Sequence, residues 1–132
     1  MPASFQDYAA EDILIKGFVP NLDGLLSGTR MTIAPLRYGA GLKGKVASSI
    51  GAGVPCVGTE VAFEGMAEAG LDLVRLTAST PLEFAQRINE VYHDEGRWDA
   101  ISKAGTIYHN QNYGKRAVAE TYHRLLESLG DK

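Results

Sequence analysis

The sequence predicts an α/β fold, a parallel sheet of about four strands with flanking helices and a helical C-terminal tail. Two observations carry that expectation. Short apolar runs alternate with amphipathic stretches over the first eighty residues, which is the order of strands joined by right-handed crossovers. Beyond them every periodic segment has helical spacing. A third observation, a length of 132 residues with 45% hydrophobic content, supports one domain, 1–132, that buries about two thirds of its unfolded surface.

The first strand is expected at Ile13–Val19, an apolar run stopped by Pro20. Asn21 then caps a helix with Leu22, Leu25 and Leu26 on one face and Gly28 at its end. Met31–Ala34 forms the second strand, Val54–Gly58 the third and Leu73–Leu76 the fourth. Between the second and third, Leu42, Val46 and Ile50 mark a helix ended by Gly51 and Gly53. Thr80-Pro81-Leu82-Glu83 is a capping box with proline at the first helical position, followed by Leu82, Ala85, Ile88 and Tyr92 at helical spacing. Trp98, Ile101, Ala104 and Tyr108 make a second stripe, and Val118, Tyr122, Leu125 and Leu129 a third after Gly114. All three stripes are expected to be core.

Composition narrows the function. The single Cys56 excludes an internal disulfide and is expected to be a buried small hydrophobe. His93, His109 and His123 are too scattered for a short zinc-ligand pattern, and no metal is expected. No apolar run approaches the roughly 20 residues of a membrane span, and the first residues have neither the basic nor the apolar region of a signal peptide, so the expected address is cytoplasmic. The net charge of −3 argues against nucleic acid as a partner. That average hides an asymmetry: between Asp23 and Glu60 the only charges are Arg30, Arg37, Lys43 and Lys45, giving +4, while the rest carries −7. A positive, glycine-rich segment in an acidic chain points to a small anion such as phosphate.

That segment is Ala34–Val46, APLRYGAGLKGKV, between a strand and a helix. Gly39, Gly41 and Gly44 fit the dinucleotide pattern G-x-G-x-x-G, with Glu60 or Glu64 near the distance at which an acid would hold a ribose. Four residues separate the strand from the first glycine, however, and two strand-helix-strand halves barely fit in the chain. Gly39 to Lys45 also fits the start of a phosphate-binding loop, but Val46 stands where a hydroxyl must hold magnesium. Common to these patterns is a cradle of backbone amides at a helix start. Gly39, Gly41 and Gly44 would let an anion approach while Lys43 and Lys45 supply charge.

The wider run PLRYGAGLKGKVASSIGAGVPCVGTEVAFEGM resembles the C-terminal, donor-binding domain of retaining glycosyltransferases of the GT-B type, family 4 or group 1. Similar to the family are a V-P-x-L phrase at Val19–Leu22, a strand ending in Ala34-Pro35, and the G-x-P-V-V start at Gly53–Val57. So are the T-x-x-x-x-E-G segment at Thr59–Gly65 and an N-Y-G phrase at Asn112–Gly114. The resemblance implies a Rossmann-like domain that binds a UDP-, GDP- or TDP-linked sugar without a cofactor. It further implies polysaccharide or glycolipid synthesis and an acceptor domain, N-terminal in the family, with which the enzyme would sit at the membrane periphery. The family's two glutamates, eight positions apart, correspond to Ala40 and Ser48, and Ser48 cannot act as a two-oxygen acceptor. Lys43 and Lys45 become the phosphate neutralisers, with Gly39, Gly41 and the amides of Gly44 to Val46 as the cradle. Arg37 and Glu64 lie in the vicinity of the nucleotide or sugar. The family's first strands are not matched, so the chain alone is expected to be inactive. The alternatives are a non-catalytic module that forms a homodimer and a fragment of a dinucleotide-dependent enzyme.

Overall fold

A computed structural model describes residues 7–66 and 70–130. Its centre is a parallel pair of strands, β1 (Thr32–Ala34) and β2 (Cys56–Gly58), with Thr32 opposite Cys56 and Ala34 opposite Gly58. The crossover is the glycine-rich loop followed by helix α2 (Gly44–Gly51), preceded in the chain by α1 (Leu22–Ser27). After β2 come a single turn of helix, α3 (Leu73–Leu76), and three longer helices, α4 (Pro81–Tyr92), α5 (Glu95–Asn112) and α6 (Lys115–Gly130). The fold class is therefore mixed α/β, with two strands in the sheet among the described residues instead of four.

Both missing strands have local causes. In Ile13–Val19 the backbone makes only an antiparallel bridge between Ala10 and Ile13. Gly17 then takes φ +66°, which breaks an extended run, and Leu14 and Phe18 are exposed, with no strand beside them among the described residues. At Leu73–Leu76 the Asp72 carboxylate accepts from the Arg75 amide (3.3 Å) and pairs with the Arg75 guanidinium (2.9 Å). That cap turns the run into α3. The extended backbone comes one residue later, where Thr77 bridges to Gly58 in parallel and Ala78 N donates to Gly58 O at 2.9 Å. Thr77 thus stands where a third strand would.

The helices start where their caps place them. Asn21 accepts from Gly24 N, Thr80 from Glu83 N and Asp94 from Arg97 N. In α4 the inward face is Phe84, Ile88 and Val91, not the predicted stripe through Leu82, Ala85 and Tyr92; Val91 is fully buried and Leu82 is exposed. Helix α5 lies close against α2, because Gly105 lets the backbone approach Ile50 and Gly51 lets it approach His109. Val46, Ile50, Val57, Phe63, Leu76 and Tyr108 form the middle of the core. Cys56 is buried there beside β1, and burial pushes its thiol pKa up, as suits a small hydrophobe.

Helix α6 forms as its spacing predicts but is not core: none of its residues is buried, and Val118, Tyr122, Leu125 and Leu129 are all more than half exposed. The chain exposes 9381 Å², whereas a compact monomer of its mass would expose about 6,800 Å². No helix among the described residues is long and apolar enough to cross a membrane.

Candidate functional site

The carboxyl ends of β1, β2 and the Thr77 bridge open onto one rim, where ligands collect in parallel sheets. Two segments build it: the loop from Pro35 to Lys43 after β1, and the turn from Thr59 to Met66 after β2. The second is braced from within. Thr59 Oγ1 donates to Leu36 O (2.6 Å) and accepts from Ala62 N (3.3 Å), while Thr59 N reaches Ala34 O. Amides of Phe63, Glu64 and Met66 turn back onto the carbonyls of Glu60, Val61 and Phe63. The turn is therefore rigid, and Thr59, which sequence reasoning marks only as the start of T-x-x-x-x-E-G, ties it to the loop.

The loop folds around its own lysine. Gly39 (φ +137°) and Gly41 (φ +75°) take backbone conformations closed to other residues, and a Cβ on Gly39 would meet the Lys43 stem at 3.0 Å. Lys43 is the N-cap residue of α2, half-buried, with Nζ donating to Gly41 O at 2.5 Å and lying 3.9 Å from Glu64 Oε2. Across the same gap Gly65 approaches Leu42, so loop and turn meet at two points. Gly39, Gly41, Lys43 and Glu64 are thus brought together.

The start of α2 lies directly beyond. Ala47 N is the first amide bonded within the helix, to Lys43 O, which leaves the amides of Gly44, Lys45 and Val46 without an acceptor in it. Gly44 is exposed with open space around it, and Lys45 is exposed with no ion pair or hydrogen bond from its side chain among the described residues. No acidic residue lies in this first turn, so the amides, the helix dipole and two ammonium groups all favour an anion. Ser48 is half-buried in the next turn. Its neighbour Ser49 is structural: the buried hydroxyl joins Thr32 Oγ1 (2.6 Å) and Val54 O (2.9 Å), tying α2 to β1 and to the segment that leads into β2.

Of the four cations in the positive segment, Arg30 is not at the rim. Its guanidinium donates twice to Tyr92 O (3.0 and 2.8 Å) and lies over the rings of Tyr92 and Trp98. Arg30 therefore adds to the positive charge of the segment without joining the anion site, for which the sequence offers Lys43, Lys45 and Arg37. Arg37 does reach the rim, exposed, in the wall of a cavity of about 490 Å³ shared with Thr59, Glu60, Thr77, Ser79 and Glu83. A second cavity of about 440 Å³ adjoins it, lined by Glu60, Glu64, Gly65 and Thr77. Glu60 lines both; the one sequence signal for it was its spacing from the glycine loop. Among the described residues no group of three His, Cys, Asp or Glu side chains is placed to hold a metal ion.

A family model described as glycosyl transferases group 1 matches residues 1–94, which include the loop, the turn and both cavities. No curated protein and no solved structure matches the chain.

Proposed function

The chain belongs to the glycosyl transferases group 1 family, and on that premise we propose that it is a donor-binding domain whose Gly39–Val46 loop holds the diphosphate of a nucleotide sugar. One observation carries this reading: at the carboxyl end of β1, a loop of left-handed glycines closes over Lys43 and leads into a helix start where three amides have no acceptor in the helix and Lys45 is exposed. Lys43 has three N–H donors and spends one on Gly41, so two remain for phosphate oxygens. In sugar transfer the bond from sugar to diphosphate breaks and negative charge grows on the departing oxygen. Preorganised amides and ammonium groups stabilise that charge without a metal. Arg37 and Glu64 stand at the edges of the same rim, toward nucleotide or sugar. Ser48 contributes at most a single hydroxyl.

The finer reading is of a retaining enzyme for polysaccharide or glycolipid, working in the cytoplasm or at the inner membrane surface. In that picture residues 1–132 act as one donor domain and an acceptor domain completes the cleft. The donor is UDP-, GDP- or TDP-linked, with no cofactor and no nucleic acid partner. A thermal-shift screen of the purified chain against UDP, GDP, TDP, ADP, NAD and pyrophosphate tests the core of it. A ligand at one hundred times its Kd adds about 2.7 kcal/mol, a rise of several degrees. A rise with pyrophosphate and one nucleoside diphosphate, lost in Lys43→Ala/Lys45→Ala, is expected. A rise with NAD alone would favour the dinucleotide alternative, and no rise at all would remove the donor-site reading.

A second reading, a module that pairs with another copy of itself, is favoured by the unburied apolar face of α6. Sedimentation equilibrium showing a monomer at all concentrations, with nucleotide binding intact, would dispose of it.

A further inference from the structure

Helix α6 has the pattern of one half of a helix pair. Val118, Tyr122, Leu125 and Leu129 follow one another at intervals of four, three and four residues, the seam spacing of two helices that coil together. The positions beside the seam carry no charge: Ala119 and Leu126 flank it on one side, Thr121 and Ser128 on the other. Arg116, Glu120, Arg124 and Glu127 fall on the opposite face, where Arg116 pairs with Glu120 at 3.2 Å. The seam also contains a receptacle. Lys115, Val118, Ala119 and Tyr122, at positions i, i+3, i+4 and i+7, line a hollow of about 420 Å³ together with Tyr113. Four residues at that spacing form the hole that receives a side chain from a facing helix.

We propose that α6 pairs antiparallel with α6 of a second copy of the chain, Leu129 of each seating in the Lys115–Tyr122 hollow of the other. The direction follows from charge. The first turn of α6 holds Lys115 and Arg116 with no acidic residue, and the last turn holds no basic residue, so neither end of the helix dipole is complemented within the chain. Lys115 makes no hydrogen bond or ion pair among the described residues. In an antiparallel pair centred between Tyr122 and Leu125, Val118 faces Leu129 and Tyr122 faces Leu125. Each Lys115 then reaches the last turn of the other helix, where carbonyls without helical partners favour a cation. A parallel pair would set the two Lys115 side by side and carry Leu129 away from the hollow. One patch meeting its own copy makes a closed two-fold contact, so assembly stops at two. A helix of 16 residues is about 24 Å long, and two such faces bury about 1,000 Å² in total, the low end of specific interfaces. The expected dimer is therefore reversible, with a micromolar Kd. The family match ends at residue 94, before α6 begins. This inference deepens the self-pairing reading and rests on it.

The test is sedimentation equilibrium of the full chain over a wide concentration range, on wild type and Leu125→Glu. Wild type should pass from monomer to dimer as concentration rises. Leu125→Glu sets a charge at the centre of the seam and should weaken the dimer by about tenfold or more. No residue of α6 is buried, so the variant is expected to fold, and circular dichroism checks that it does. Thr121→Cys and Ser128→Cys report direction, because antiparallel pairing brings position 121 of one copy beside position 128 of the other. Oxidising a mixture of the two variants should give the mixed disulfide-linked dimer in excess of either self-linked one; Cys56 is buried and stays out of the reaction. Self-linked dimers in excess overturn the proposal. A dimer that Leu125→Glu leaves within twofold of wild type overturns it too, while the self-pairing reading survives through another surface. A monomer at every concentration overturns both and leaves the α6 face to a different chain or segment.

Discussion

Replacing Arg30 by Met should cost stability and spare ligand binding, because this cation is used to join β1 to the α4–α5 junction. Its guanidinium makes two bonds to Tyr92 O, from Nε at 3.0 Å and Nη2 at 2.8 Å. The same group lies 5.1 Å from the Tyr92 ring centre and 5.3 Å from that of Trp98. The site is exposed, so water replaces part of each lost bond, and about 0.5–1 kcal/mol per hydrogen bond is appropriate. A cation over aromatic rings at an exposed site adds about 0.5–1 kcal/mol. The bond from Trp98 Nε1 to Arg30 O (2.8 Å) uses the backbone and survives the substitution. Together the loss is about 2 kcal/mol, or about 8 °C in Tm for a chain of this length. Urea denaturation of Arg30→Met should show that loss as a lower midpoint with an unchanged slope. Arg30→Lys, which keeps a cation near the rings but not the paired donors, should lose about half as much. A Met variant within 0.5 kcal/mol of wild type refutes the clamp. One that loses nucleoside diphosphate binding with its stability intact would place Arg30 in the anion site.

Two further outcomes test the frame around the rim. Gly58→Ala should destabilise by about 1–3 kcal/mol in chemical denaturation, since a Cβ there would lie 2.8 Å from Ala62 Cβ and 3.2 Å from Ala34 O at the junction of all three extended segments; a neutral result would show that the strand ends can spread. The backbone amide and hydroxyl of Ser79 hold the Glu83 carboxyl below its usual pKa. Its contribution is therefore complete above the unfolded pKa of about 4.3 and fades as pH falls through the lower folded value. Wild type should lose more stability than Glu83→Gln between pH 5 and pH 3, and parallel pH profiles for the two would contradict the cap.

The sequence reveals helices and caps better than strands here, for a physical reason. Asn21, Thr80 with Glu83, and the spacing from Trp98 to Tyr108 each act within a few residues, so local sequence suffices to place them. A strand needs a partner, and partners are not local. Ile13–Val19 and Leu73–Leu76 have the composition of buried strands, yet among the described residues one has no strand beside it and the other is capped by Asp72 into a helical turn. The glycine loop is legible because left-handed φ values at Gly39 and Gly41 leave a mark in residue type. Arg30 and Glu60 are not, because what surrounds each comes from far along the chain: Tyr92 and Trp98 for the first, Arg37 and Thr77 across a cavity for the second.

The α6 stripe separates two things that periodicity tends to merge. Val118, Tyr122, Leu125 and Leu129 recur at helical spacing, and the helix forms, but each of them stays more than half exposed. Spacing says which side of a helix seeks apolar contact; it does not say that the same chain supplies the contact. Ile33 in β1 and Phe18 ahead of α1 make the same point, each exposed by more than half. The rim is exposed as well, with Tyr38 85% accessible, but it is cross-braced. Its loop and turn are joined by Thr59, Lys43 and Gly65, and its strand ends are closed by Gly58 and Ala78. Ligand binding at the rim can therefore be intact in this chain while α6 stands uncovered, and that is why the nucleotide and the oligomer measurements bear on different parts of the molecule.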